Sequence, residues 1–219
     1  MSYLIEFRMR GEARSIARDC IFDLYQKFGI RGAVKKRPVP HVTLFGPFQT
    51  RHIRDVKRAI RDTTMPYNEL HYEINGFGNF DEKHSWFNLS PKKRVIYLNI
   101  CPSPEMKKFR QSLAERILPI TSPKDVSIDK AKKYKFHSTV AINDIAVKFD
   151  VIQKYLNSVS VCVRGTCERI TLVNNHKIEC EFDLVRHRML TRQQALGNRF
   201  RVTATRRNTR SPGRRIYRR

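Results

Sequence analysis

The chain has 219 residues, 40% of them hydrophobic, and carries a formal net charge of +24 at pH 7. Length and apolar content allow a real core, in one domain or two closely packed lobes, while no run approaches the roughly eighteen apolar residues of a membrane helix. Half of the charge sits in residues 186–219, as twelve arginines with no lysine or acidic residue, so a polyanionic partner is expected, with nucleic acid the first choice.

In chain order, residues 3–8 ("YLIEFR") read as a strand and 12–28 as a helix, with Ile16, Cys20, Leu24 and Phe28 on one stripe and Gly29 as its stop. "HVTLFGPF" follows as a strand. Thr50 is then expected to cap a short basic helix that turns Ile53, Val56 and Ile60 inward, before a strand "ELHYEINGF". The order then returns. "RVIYLNI" is a strand, and the Ser-Pro start of "SPEMKKFRQSLAERIL" opens a helix with Met106, Phe109, Leu113 and Ile117 inward. A basic loop leads to a strand "KFHSTVAI", a helix "VKFDVIQKYL", and strands "SVCVRG", "CERITLV" and "KIECEFDLV"; "LVRHRMLTRQQAL" closes the fold with a strand and a short helix.

His41 and Thr43 share one face of the first "HVT" strand, as His137 and Thr139 do in "HST", since alternate side chains of a strand point the same way. They occupy the same place in the repeated order, 96 residues apart, which marks an internal duplication. Of seven histidines only these two precede a hydroxyl residue by two positions. His52, His71, His84, His176 and His187 are assigned to surface or cap roles. A purely structural origin would need neither His nor Thr at both places.

Two such strands facing one groove would supply two imidazoles for acid–base chemistry near neutrality and two hydroxyls to donate to phosphoryl oxygens. These parts suffice for a phosphodiester. Two imidazoles without carboxylate or thiolate at ligand spacing make a poor metal site, and five scattered cysteines with no C-x-x-C pair indicate neither zinc nor a disulfide framework. Neither metal nor cofactor is expected.

The paired "HVT" and "HST" motifs, the duplicated order and the "HVTLFGPF" context resemble the 2H phosphoesterase superfamily, in particular its 2'-5' RNA ligase or LigT-like branch, over about residues 1–195. The resemblance implies an α+β fold of two duplicated lobes with antiparallel sheets around a central groove. It implies metal-independent opening of RNA 2',3'-cyclic phosphates to 2'-phosphates, in some members with reversible 2'-5' joining. Catalytic roles follow for His41, Thr43, His137 and Thr139, with His137 as base toward water and His41 as acid toward the leaving oxygen. Many members of the branch read H-x-T-L-x-F-L-G at the first motif, so the substrate here is open to difference. Two other readings share these residues: a protein that binds RNA ends without turnover, and a phosphodiesterase for a small cyclic nucleotide.

Phe45, by alternation on the face of His41, is a candidate stacking platform for a base, with Phe48 beside it; Tyr134 and Lys135 are candidate phosphate contacts. The expected partner is RNA with a 2',3'-cyclic phosphate or 2'-phosphate end, bound by a cytoplasmic monomer. The bilobal domain is placed at residues 1–196, with lobes of about 1–90 and 91–196, and residues 197–219 are read as a disordered basic tail.

Overall fold

The computed structural model describes residues 2–31, 39–81, 94–124, 126, 134–142, 144–145 and 147–197. The first strand, β1 (Tyr3–Arg8), buries Ile5 and Phe7 in the core, while the alternation sends Glu6 and Arg8 to the other face. Helix α1 (Gly11–Phe28) buries Ala13, Ala17, Cys20, Ile21 and Leu24; Ile16 and Phe28 lie at the edges of that stripe. It ends at Gly29, whose φ of 68° costs a residue without Cβ little and lets its N–H reach Tyr25 O at 2.8 Å.

Strand β2 (His41–Gln49) carries the first motif and α2 (Ile53–Thr64) follows it. Thr50 does not cap that helix as expected. His52 is the N-cap residue, and the Thr50 hydroxyl accepts from His52 N and donates to Ile120 O, tying the turn to the other half of the chain. Strands β3 (Leu70–Asp81) and β4 (Arg94–Pro102) come next, then α3 (Pro104–Ile117), where the Ser103 hydroxyl accepts from Met106 N and proline sits in the first turn. A 3-10 turn (Leu118–Ile120) and the two-residue strand β5 (Ser122–Pro123) precede β6 (His137–Ile142), which holds the second motif. The chain closes with α4 (Phe149–Asn157), β7 (Cys162–Cys167), β8 (Arg169–Asn174), β9 (Lys177–Asp183), β10 (Arg188–Thr191) and α5 (Arg192–Leu196).

The strands form two antiparallel sheets, one ordered β10-β9-β8-β1-β2-β5 and the other β6-β4-β3-β7, which makes this an α+β protein. The two halves of the chain interleave. β3 lies in the four-stranded sheet with β4, β6 and β7, whereas β8 to β10 extend the sheet of β1 and β2. Helix α1 packs on β6 and β7, and α3 packs on α2 and β2 as well as β3 and β4. One continuous apolar cluster joins side chains of both sheets and of α1 to α4. The lobe boundary expected near residue 90, the basic loop at 129–133, His84 and the tail beyond Gly197 lie outside the described residues.

Candidate active site

Each motif sits on a strand whose neighbour is antiparallel, and the pairings correspond. Thr43 lies opposite Glu6 and His41 opposite Arg8 on β1; Thr139 lies opposite Tyr97 and His137 opposite Asn99 on β4. The ladder then slips at the same place in both. Ile5 pairs with Phe45 although Glu6 pairs with Thr43, and Ile96 pairs with Ala141 although Tyr97 pairs with Thr139. One extra residue, Leu44 or Val140, is thus accommodated just after each threonine, as in a β-bulge.

The slip corrects the expectation for Phe45. Strict alternation places it beside His41 and Thr43, but the extra residue turns it to the face of Ile5, where it is 0% exposed and packs edge-on against Phe48. Phe48 is 1% exposed and stacks on Tyr3. Neither ring offers a free face to a base.

The two histidines are held alike. In each, Nδ1 lies 2.9 Å from the carbonyl oxygen of the residue two positions earlier, Val39 for His41 and Lys135 for His137. A carbonyl only accepts, so Nδ1 carries the hydrogen and Nε2 remains for proton transfer. The surroundings of the two Nε2 atoms differ. Glu6 Oε2 lies 3.7 Å from His41 Nε2. Burial pushes the Glu6 carboxyl above its ordinary range, with the charges of His41 and Arg8 opposing and that of Glu181 adding to the rise.

His137 instead meets aromatic rings, that of Phe80 edge-on with centroids 5.0 Å apart and that of Tyr97 at 5.2 Å. Gly78 makes room for Tyr97: a Cβ there would lie 2.5 Å from the ring, whose hydroxyl donates to Asn79 O at 3.2 Å. Burial pushes the His137 imidazole below its ordinary value, and the positive charges of His41 and Lys135 add to that, against the hydrogen bond to Lys135 O.

Strands β2 and β6 are neighbours, so the motifs from the two sheets meet. Tyr134 locks them together, donating from its hydroxyl to Thr43 O at 3.1 Å while the guanidinium of buried Arg110 lies 4.0 Å from its ring centre and donates from Nε to Leu44 O. Tyr134 therefore acts as a strut between the motifs. Lys135 is exposed, its ammonium 5.0 Å from the Tyr97 ring centre, beside His137. Of the four expected binding residues, Tyr134 and Lys135 lie at the motifs and Phe45 and Phe48 do not.

A model of the 2'-5' RNA ligase superfamily matches residues 18–179, nearly three-quarters of the chain and both motifs. The chain belongs to the 2'-5' RNA ligase superfamily. Among solved structures, that of TT0787 of Thermus thermophilus has 12% identity and a TM-score of 0.59, covering 84% of this chain and 98% of the other. The structure of Kluyveromyces marxianus Usb1 with uridine monophosphate has 10% identity and a TM-score of 0.44, covering 87% and 97%. The first likeness shows a shared fold. No curated sequence matches the chain.

Within this superfamily member, Glu6 has no motif to announce it; its only sequence signal is a carboxylate inside the apolar run "YLIEFR". Beyond it the same face holds a buried ion cluster. Glu181, 0% exposed, pairs with Arg8 and with Arg169 at 3.2 Å and accepts from Thr171 at 3.0 Å, and Asp183 pairs with Arg169 and Arg186. Among the described residues no group of three His, Cys, Asp or Glu is placed to hold a metal ion, and no helix is long and apolar enough to cross a membrane.

Proposed function

We propose that the chain is a phosphoesterase that opens the 2',3'-cyclic phosphate end of RNA to a 2'-phosphate, and that the same groups run a reversible 2'-5' joining when a 5'-hydroxyl takes the place of water. His137 Nε2 takes a proton from water as its oxygen bonds to phosphorus. The bond from phosphorus to O3' breaks, and His41 Nε2–H delivers the proton to that oxygen. The Thr43 and Thr139 hydroxyls donate to the non-bridging oxygens, where charge grows in the transition state.

The observation that carries this reading is the matched presentation of the two imidazoles, both with Nδ1 on a backbone carbonyl and Nε2 left to exchange protons. The unlike neighbours support the division of labour. Glu6 lies 3.7 Å from the Nε2 of His41 assigned to the acid, and burial lowers the His137 imidazole, which suits a base. These side chains cover acid, base and oxyanion contacts without calling on a metal ion.

The test is to incubate the protein and a chelator with an oligoribonucleotide ending in a 2',3'-cyclic phosphate and to map the product. A 2'-phosphate end is expected. Release of the cyclic end unopened would instead identify a protein that only binds RNA termini, and activity abolished by the chelator would overturn the mechanism.

A further inference from the structure

A pocket of about 440 Å³ lies on the four-stranded sheet between the residues that flank His137 and the start of α3. Asn99, directly opposite His137 in the ladder, lines it, as does Lys135, whose carbonyl holds His137. Cys101 lies two residues further along β4, about 7 Å at the usual rise of a strand. Asn75, on the neighbouring strand β3, and Lys107, in the first turns of α3, complete the far end.

Among the described residues, the lining contains two lysines and two asparagine amides and no carboxylate. That contrasts with the pocket between α1 and α4, which is lined by Asp19 and Asp23. An anion with hydrogen-bonding edges suits the first pocket and would be repelled from the second. Asn99 Nδ2 donates to Phe77 O at 3.1 Å, which fixes the amide and leaves Oδ1 as an acceptor. Exposed Asn75 brings a second amide, and side-chain amides with both donor and acceptor are suited to the edge of an unpaired base. The volume lies within the usual range for small-ligand sites.

We propose that this pocket holds the nucleoside that bears the reacting phosphate, with Lys107 contacting the next phosphate toward the 5' end. The substrate is then an RNA end of at least two nucleotides rather than a mononucleotide. The inference rests on the phosphoesterase reading above and adds polarity to it: the reacting phosphate at His137, the base against Asn99 and Asn75, and the chain leaving past Lys107.

The experiment compares kcat and KM for a mononucleoside 2',3'-cyclic phosphate and for a dinucleotide with the same end, in the wild type, Lys107→Ala and Lys108→Ala. Lys108 is exposed on the same helix but does not line the pocket. For the wild type, KM for the dinucleotide should be the lower of the two. Lys107→Ala should lower the dinucleotide-to-mononucleotide ratio of kcat/KM about tenfold, a difference of about 1.4 kcal/mol. It should also reduce the salt slope of dinucleotide affinity by about 0.7. Lys108→Ala should leave both ratios at wild-type values. Equal KM values in the wild type, or a ratio untouched by Lys107→Ala, overturn the proposal while leaving the phosphoesterase reading in place. Equilibrium binding of the 2'-phosphorylated dinucleotide and mononucleotide separates the two ideas. If neither cyclic substrate is opened, a Lys107-dependent preference for the dinucleotide still upholds the pocket, and no preference defeats it.

Discussion

Glu6 sets a carboxylate oxygen 3.7 Å from Nε2 of His41, whereas the position matched to it beside the second motif is occupied by Tyr97. The duplication thus preserves the placement of the histidines and differs in what faces them. Glu6→Gln keeps the shape and removes the carboxyl group beside the Nε2 that is proposed to donate. Turnover of the cyclic substrate should fall while the fold and KM hold. Arg8 and Glu181 also face Glu6, and neither is altered by the change. An unchanged kcat would remove Glu6 from any part in proton transfer.

The shelter of His137 predicts the opposite limb. A base works only unprotonated, so a depressed imidazole lets the rate rise at a lower pH than an ordinary histidine would. Phe80→Ala admits water to the ring and Lys135→Ala removes a nearby positive charge; both raise the imidazole toward its ordinary value. Each should move the low-pH limb of kcat/KM to higher pH. Movement downward, or none, contradicts the assignment of His137 as base.

His41→Ala and His137→Ala should each lower turnover by a factor on the order of 10² to 10⁴, the usual contribution of a positioned acid or base. Thr43→Ala and Thr139→Ala should cost less, since each removes one donor to the phosphoryl oxygens. Far-UV circular dichroism should match the wild type in all four. Turnover indifferent to either histidine is incompatible with the mechanism.

Phe45→Ala should act through stability. The ring is 0% exposed against Phe48, and emptying such a site costs about 3–5 kcal/mol. A urea titration should show the loss, and KM for the cyclic substrate should stay near the wild-type value when the variant is assayed folded. A raised KM with no loss of stability would restore the stacking role that alternation predicts.

Glu181→Gln should destabilise by about 3–5 kcal/mol, because Arg169, itself 3% exposed, would face a neutral amide in the interior. The same urea titration measures it. An unchanged midpoint would mean that Asp183 alone balances Arg169.

The motif histidines and threonines are legible in the sequence because they recur at one place in a duplicated order, and β1, α1 and α3 are legible from their periodicity. Local rules reach that far. Thr50 resembles a cap but bonds to Ile120, seventy residues away, a partner no local pattern reveals. Phe45 lies two residues from Thr43, as alternation requires for the same face, yet the ladder with β1 inserts Leu44 and sends it inward. Pairing between strands decides that, and pairing belongs to the tertiary structure. For the same reason only the fold sets Glu6 at His41 and Phe80 at His137: those contacts join strands distant in the chain, and they differentiate two histidines that the sequence alone presents as equivalent.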